Sequence, residues 1–261
     1  MQAAVADVFG TTEARAEQGK GAGGDRTVYI DAVAESLTLR MLEEVHARGR
    51  EFTVVSEEAG ERTYGGGGDF VIIDPIDGSH NAKMGVPYFS LSLAAATGRT
   101  AGDVFEGAVR NLATGDHFSA RRGAGAWLGD RPLRLPADGA ERISILQIEP
   151  PGLIERLPLY LELIASAEKV RMLGSAALSL CHVASGAISL SVAPSLRSVD
   201  YAAGVLIVEE AGGCVTDMLG DSIGGLDTAL DRRTSVIAAQ SRALLDEGLR
   251  LVEDAAATLK R

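Results

Sequence analysis

The apolar run Phe70-Val71-Ile72-Ile73 passes directly into Asp74-Pro75-Ile76-Asp77-Gly78, and few chain architectures accommodate that junction. Its β-branched and aromatic residues predict a buried strand, which Pro75 is expected to end. Two carboxylates three residues apart then stand where the chain leaves the core. Like charges about 4 Å apart repel by roughly 1 kcal/mol in water and about 4 kcal/mol at an effective dielectric near 20. A fold that keeps such charges together either protonates one group or neutralises both with a cation.

Further acids favour the cation. Val54-Val55-Ser56-Glu57-Glu58 is another short apolar run ending in carboxylates. Asp200 precedes Ala202, Ala203 and Gly204, small residues that suit a helix start packed closely against a neighbour. An acid there is favoured by the helix dipole and can also point into a cleft. The donors are all oxygens, and none of His46, His80, His117 and His182 is spaced as a metal pair. Mg²⁺ or Mn²⁺ therefore suits the set better than zinc or copper. The glycine-rich segment Gly19 to Thr27 lacks the Walker pattern and reads as a mobile loop rather than a nucleotide loop. The run Gly65 to Gly68 reads as a slack turn.

The 261 residues, 46% hydrophobic, suffice for one large α/β domain with a full core. A net charge of −11 argues against nonspecific binding to nucleic acid or to an anionic membrane. No apolar run approaches the length of a membrane span, and the N-terminus lacks a signal-peptide pattern, so a cytoplasmic location is expected. Cys181 and Cys214 are expected to be free thiols.

Helical spacing of Ile30, Val33, Ala34, Leu37, Met41 and Val45 predicts a helix buried along that line, with Asp31 in its first turn and Glu35 on another face. Short strands follow as an antiparallel meander over Phe89 to Ala96, Asp103 to Asn111, His117 to Arg121 and Ala126 to Leu128. Ile143 to Ile148 opens a second half in which helix and strand alternate. Its expected helices are Leu157 to Ala165, Ala176 to Ala184, Val199 to Ala211 and Arg242 to Ala255. Its expected strands are Lys169 to Leu173, Ile188 to Val192, one at Val215 and Ser235 to Ala239. The expected organisation is a single α/β domain over residues 1–261, with subdomains of about 1–142 and 143–261.

Taken in order, these blocks resemble the inositol monophosphatase and fructose-1,6-bisphosphatase superfamily of Mg²⁺-dependent sugar phosphatases. The resemblance is carried by Glu57-Glu58, by Asp74 to Asn81, by Arg171-Met172-Leu173-Gly174-Ser175-Ala176-Ala177, and by Asp200 to Gly204 with Glu210-Ala211-Gly212-Gly213. It implies an αβαβα layered sandwich with the metals at the seam between subdomains. It also implies that Glu57, Asp74, the Ile76 carbonyl, Asp77 and Asp200 bind two or three Mg²⁺ ions, with Mn²⁺ as a substitute. Asp31 corresponds to an acid that helps a hydroxyl activate the attacking water, and Ser79 stands where that hydroxyl is usually a threonine's. By the same resemblance, Asp77, Gly78, Ser79, Arg171 and Ala176 contact the substrate. Arg197 reads either as a substrate contact or as a surface salt bridge.

Within the superfamily the likeness is greatest to the archaeal and bacterial type that hydrolyses fructose 1,6-bisphosphate and inositol 1-phosphate. The Thr27-Val28-Tyr29-Ile30-Asp31 and Leu196-Arg197-Ser198-Val199-Asp200 segments carry that likeness. One position departs: Ala193 stands where relatives hold a sugar-binding Glu or a phosphate-binding Arg. The implied partner is a small-molecule sugar phosphate, and the implied assembly a homodimer. Two alternatives stand beside this reading. One is a phosphatase of the same superfamily acting on 3′-phosphoadenosine 5′-phosphate or histidinol phosphate. The other is an inactive paralogue serving as a binding subunit, against which retention of every expected ligand argues.

Overall fold

The structure, a computed structural model, describes residues 1–22, 26–136, 142–149 and 153–259. The chain opens with helix α1 (Gln2–Ala6) and an antiparallel ribbon of β1 (Glu17–Lys20) and β2 (Arg26–Val28). The glycine-rich loop has its flanks in that ribbon, while residues 23–25 lie outside the described residues.

Helix α2 (Tyr29–Ala47) buries Ile30, Ala34, Thr38 and Leu42, with Asp31 and Glu35 beside them. That face is rotated from the expected line, and Met41 and Val45 are exposed. Two acids account for the rotation. Glu35 accepts from Ser56 Oγ at 2.9 and 3.1 Å, and Asp31 accepts from the Val28 N–H. Buried polar groups with partners are stable in a core, and counting apolar residues cannot detect them.

The larger sheet contains β3 (Phe52–Ser56), β4 (Gly60–Tyr64), β5 (Asp69–Asp77), β6 (Ser90–Ala96), β7 (Val104–Asn111), β8 (His117–Arg121), β9 (Gly125–Leu128) and β10 (Arg131–Leu133). Their spatial order is β10-β9-β8-β7-β6-β5-β3-β4, and short helix α3 (Ser79–Met84) follows β5. Near its centre β5 is buried on both faces: Ile72 joins Val55 and Phe118 in the core shared with α5 and α6, and Ile73 clusters with Phe52, Val54 and Leu42 on the other side. Pro75 does not end this strand, contrary to expectation. Asp74 pairs with Ser92 and Asp77 with Ser90, so Pro75 and Ile76 together oppose Leu91. Proline has no N–H for the ladder, and a one-residue bulge absorbs it.

The smaller sheet has β11 (Ile145–Ile148), β12 (Lys169–Arg171), β13 (Leu190–Leu196), β14 (Cys214–Thr216) and β15 (Thr234–Ala239), in the order β12-β11-β13-β15-β14. Its helices are α4 (Leu153–Ser166), α5 (Ala176–Ala184), α6 (Ser198–Glu210) and α7 (Arg242–Leu259). Helix α2 covers the outer face of the larger sheet, α5 and α6 fill the space between sheets, and α4 and α7 cover the far face. The result is the αβαβα layering.

Helix α6 is buried on nearly every side, from Val199 through Val208 with only Asp200 half-buried. A helix apolar all round belongs between layers. Gly204 permits its closest approach to α5: a Cβ there would stand 2.7 Å from Leu180 Cδ1 and 2.8 Å from Leu180 Cβ. At the far end Glu210 accepts from the Gly123 and Gly125 N–H groups, pinning α6 to the turn before β9. Cys181 is buried, Cys214 is half-buried, and both are free thiols. Among the described residues, no helix is long and apolar enough to cross a membrane.

Candidate metal and phosphate site

The bulge in β5 decides where its acids point. In an unbroken strand, residues three apart face opposite sides. With Pro75 and Ile76 opposing a single residue, Asp74 and Asp77 instead share a face with their partners Ser92 and Ser90. That face looks toward α6, where Ser92 Oγ donates to the Val199 carbonyl at 3.1 Å. Strand β3 runs parallel to β5 with Ser56 beside Ile73, so the next residue, Glu57, arrives beside Asp74. From α6, Asp200 folds back and accepts the Arg197 N–H at 2.8 Å, as acids in a first helical turn do. Carboxylate oxygens of Glu57, Asp74 and Asp200 consequently lie within 4.8 Å of one another.

Their electrostatics follow from burial and crowding. Desolvation pushes the Asp74 carboxyl well above the usual range, and the charges of Glu57, Asp77 and Asp200 push it further. The Ile76 N–H, which donates to Asp74 Oδ1 at 2.9 Å, opposes that rise only in part. Burial, then the Asp200 charge, raises Asp77 to about 7. Asp77 is turned to the start of α5, where it accepts from Ser175 Oγ at 2.5 Å, Ala177 N–H at 2.8 Å and Ala176 N–H at 3.3 Å. The structure thus brings Glu57, Asp74 and Asp200 into one ion-sized space and seats Asp77 against α5.

Asp31 sits at the start of α2. Its Oδ2 accepts the Val28 N–H at 3.1 Å, while Oδ1 is buried without a hydrogen-bond partner. Burial raises its pKa to about 6, with the Val28 bond opposing and the Glu58 charge assisting. Asp31, Glu57, Glu58, Asp74, Pro75, Ile76 and Ser79 line a cleft of about 40 Å³, room for an ion or a water. Glu58 itself accepts from the Thr27 hydroxyl. Gly78, at φ +87°, opens α3 in a left-handed conformation, and a Cβ there would stand 2.8 Å from the Gly174 carbonyl oxygen. Asn81 Nδ2 donates at 2.7 Å to both the Tyr88 and Leu173 carbonyls, tying this turn to the segment before α5.

The remaining substrate candidates are placed differently. Ala176 is buried, and its N–H is committed to Asp77. Arg171 is exposed on β12, with Nη1 bonded to the Val170 carbonyl at 2.9 Å. Arg197 departs from the expected surface salt bridge: it is buried, and Nη1 donates to Glu57 Oε1 at 2.8 Å. Glu149 had no signal in the sequence. It accepts from Gln147 Nε2 at 2.7 Å and Ser179 Oγ at 3.3 Å, and burial, the largest influence, raises its pKa.

An all-oxygen donor set whose members repel one another and resist ionisation fits a hard divalent cation. Comparison with known proteins agrees. Residues 1–257 match the inositol monophosphatase family. The chain is 34% identical to a fructose-1,6-bisphosphatase/inositol-1-monophosphatase of Methanothermobacter thermautotrophicus, over 97% of this chain and 92% of that one. It is 33% identical to Nus factor SuhB of Haemophilus influenzae, over 83% and 79% of the two chains. A solved inositol monophosphatase-fructose 1,6 bisphosphatase superposes with a TM-score of 0.83 at 27% identity, covering 96% of this chain and 94% of that one.

Proposed function

Because the chain belongs to the inositol monophosphatase family, a family of metal-dependent phosphatases, we propose that it releases phosphate from small sugar phosphates, fructose 1,6-bisphosphate and inositol 1-phosphate foremost, with Mg²⁺ as cofactor. The convergence of Glu57, Asp74 and Asp200 within 4.8 Å carries this reading. These three would hold two or three Mg²⁺ ions, or Mn²⁺ in their place, with the Ile76 carbonyl and Asp77 completing the shell. Bound there, the cation supplies charge neutralisation for the phosphoryl oxygens and a lowered pKa for water.

The chain's own groups do the rest. Asp31 offers a carboxylate with a pKa near neutrality and an uncommitted buried oxygen, suited to accept a proton from the attacking water through the Ser79 hydroxyl. The Gly78 and Ser79 N–H groups, where the chain turns into α3, face the phosphate. Ala176 lines the sugar pocket, and Arg171 reaches the ester from the rim. The overall charge of −11 repels an anionic ester, so local cations must capture it. The same reading makes the protein a cytoplasmic homodimer.

The test is phosphate release from a panel of sugar phosphates and nucleotides in Mg²⁺ or Mn²⁺, with EDTA as control. Release that EDTA abolishes is expected. Silence across the whole panel in both metals would end the proposal.

A further inference from the structure

Arg197 is the only lysine or arginine fully buried among the described residues, at 6% exposure. It touches two of the three converging carboxylates. Its Nη1 donates to Glu57 Oε1 at 2.8 Å, and its backbone N–H donates to Asp200 Oδ2 at 2.8 Å. A guanidinium does not lose its proton in a protein, and burying one is costly unless it is paired. Its counter-charge here is the acidic cluster itself.

We propose that Arg197 is the resident counter-cation of the acidic cluster, neutralising Glu57 in the metal-free protein and thereby weakening the site's hold on its divalent ion. This rests on the metal-dependent reading above. An anionic partner bonded to a metal ligand raises that ligand's basicity. A cationic partner does the reverse, and it also sets a like charge beside the divalent ion. Arg197 is therefore a positioning residue that favours the metal-free state: without it the cluster lacks its internal positive charge, and the ion gains what the guanidinium supplied.

Calorimetric Mg²⁺ titration tests this, together with melting in EDTA and in saturating Mg²⁺, on the wild-type chain, Arg197→Met and Arg197→Gln. Met keeps most of the bulk, Gln keeps an N–H for Glu57, and both remove the charge. The expected result in each variant is a Kd for Mg²⁺ lower by about tenfold, a lower Tm in EDTA, and a larger Mg²⁺-induced rise in Tm than wild type. Arg197→Lys, which keeps the charge, should return the Kd to within about twofold of wild type. A Kd unchanged or weakened in both uncharged variants overturns the proposal and leaves the guanidinium a scaffold. Variants that stay unfolded in saturating Mg²⁺ overturn it as well, since the ion is expected to replace the missing charge. A wild-type chain that takes up neither Mg²⁺ nor Mn²⁺ is a separate result, which removes the metal reading itself.

Discussion

Asp31 and Asp200 open their helices in the same way, each folding back to accept the N–H three residues earlier. Their remaining oxygens differ in company. Asp200 shares an ion-sized space with Glu57 and Asp74, whereas Asp31 Oδ1 is buried without a partner and its pKa is about 6. Asp31→Asn should lower kcat/KM by about 100-fold or more, the range for loss of a general base. The wild-type rate should rise with pH through that group's titration, and the variant's residual rate should lose that limb. A pH–rate profile checks this, and a limb that survives in the variant would assign it to another group. The acids themselves were legible as short strings, because each lies at the end of an apolar run or before small residues. Their holders were not. Arg197 reaches Glu57 across 140 positions, and Ser175 reaches Asp77 across 98, with nothing local to mark either pairing.

Elements were legible where periodicity was strong and boundaries carried a stop signal. Helix α5 and strand β8 have the bounds read from sequence, Ala176–Ala184 and His117–Arg121. Strand β4, Gly-Glu-Arg-Thr-Tyr, escaped because an exposed, charged edge strand lacks an apolar face to alternate. The buried face of α2 was misjudged because part of it is polar. Close approach of α5 and α6 was anticipated only as small residues, and its tightness resides at Gly204. Gly204→Ala should cost about 1–3 kcal/mol by overpacking against Leu180. In a chain of this size that lowers Tm by roughly 2–4 °C per kcal/mol, readable by thermal melting. A melting temperature equal to wild type would show that α5 can shift to make room.

Over the whole molecule, the layered fold gathers acids from both halves into a centre that resists ionisation. Asp31 and Asp77 titrate ordinarily at 3.8, but at about 6 and about 7 when folded. Between those values the folded chain keeps protons that the unfolded chain releases, so stability falls as pH rises through that window. The metal-free protein should therefore melt at a lower temperature near pH 7.5 than near pH 5.5, and saturating Mg²⁺ should shrink the difference. Melting curves in EDTA and in Mg²⁺ measure both; a metal-free Tm that climbs across the window contradicts the assignment.

The irregularity opposite Leu91 has a consequence for this protein's descendants. Odd and even positions of a strand serve different sides, and the one surplus residue between Asp74 and Asp77 exchanges that parity partway along. A descendant in which these residues ran on as regular strand, with no bulge to absorb the surplus one, would keep every acid in its sequence and the same layers. Its second aspartate would nevertheless be handed to the wrong side of the sheet, so the chemistry of the centre depends on where the strand breaks its alternation as much as on composition.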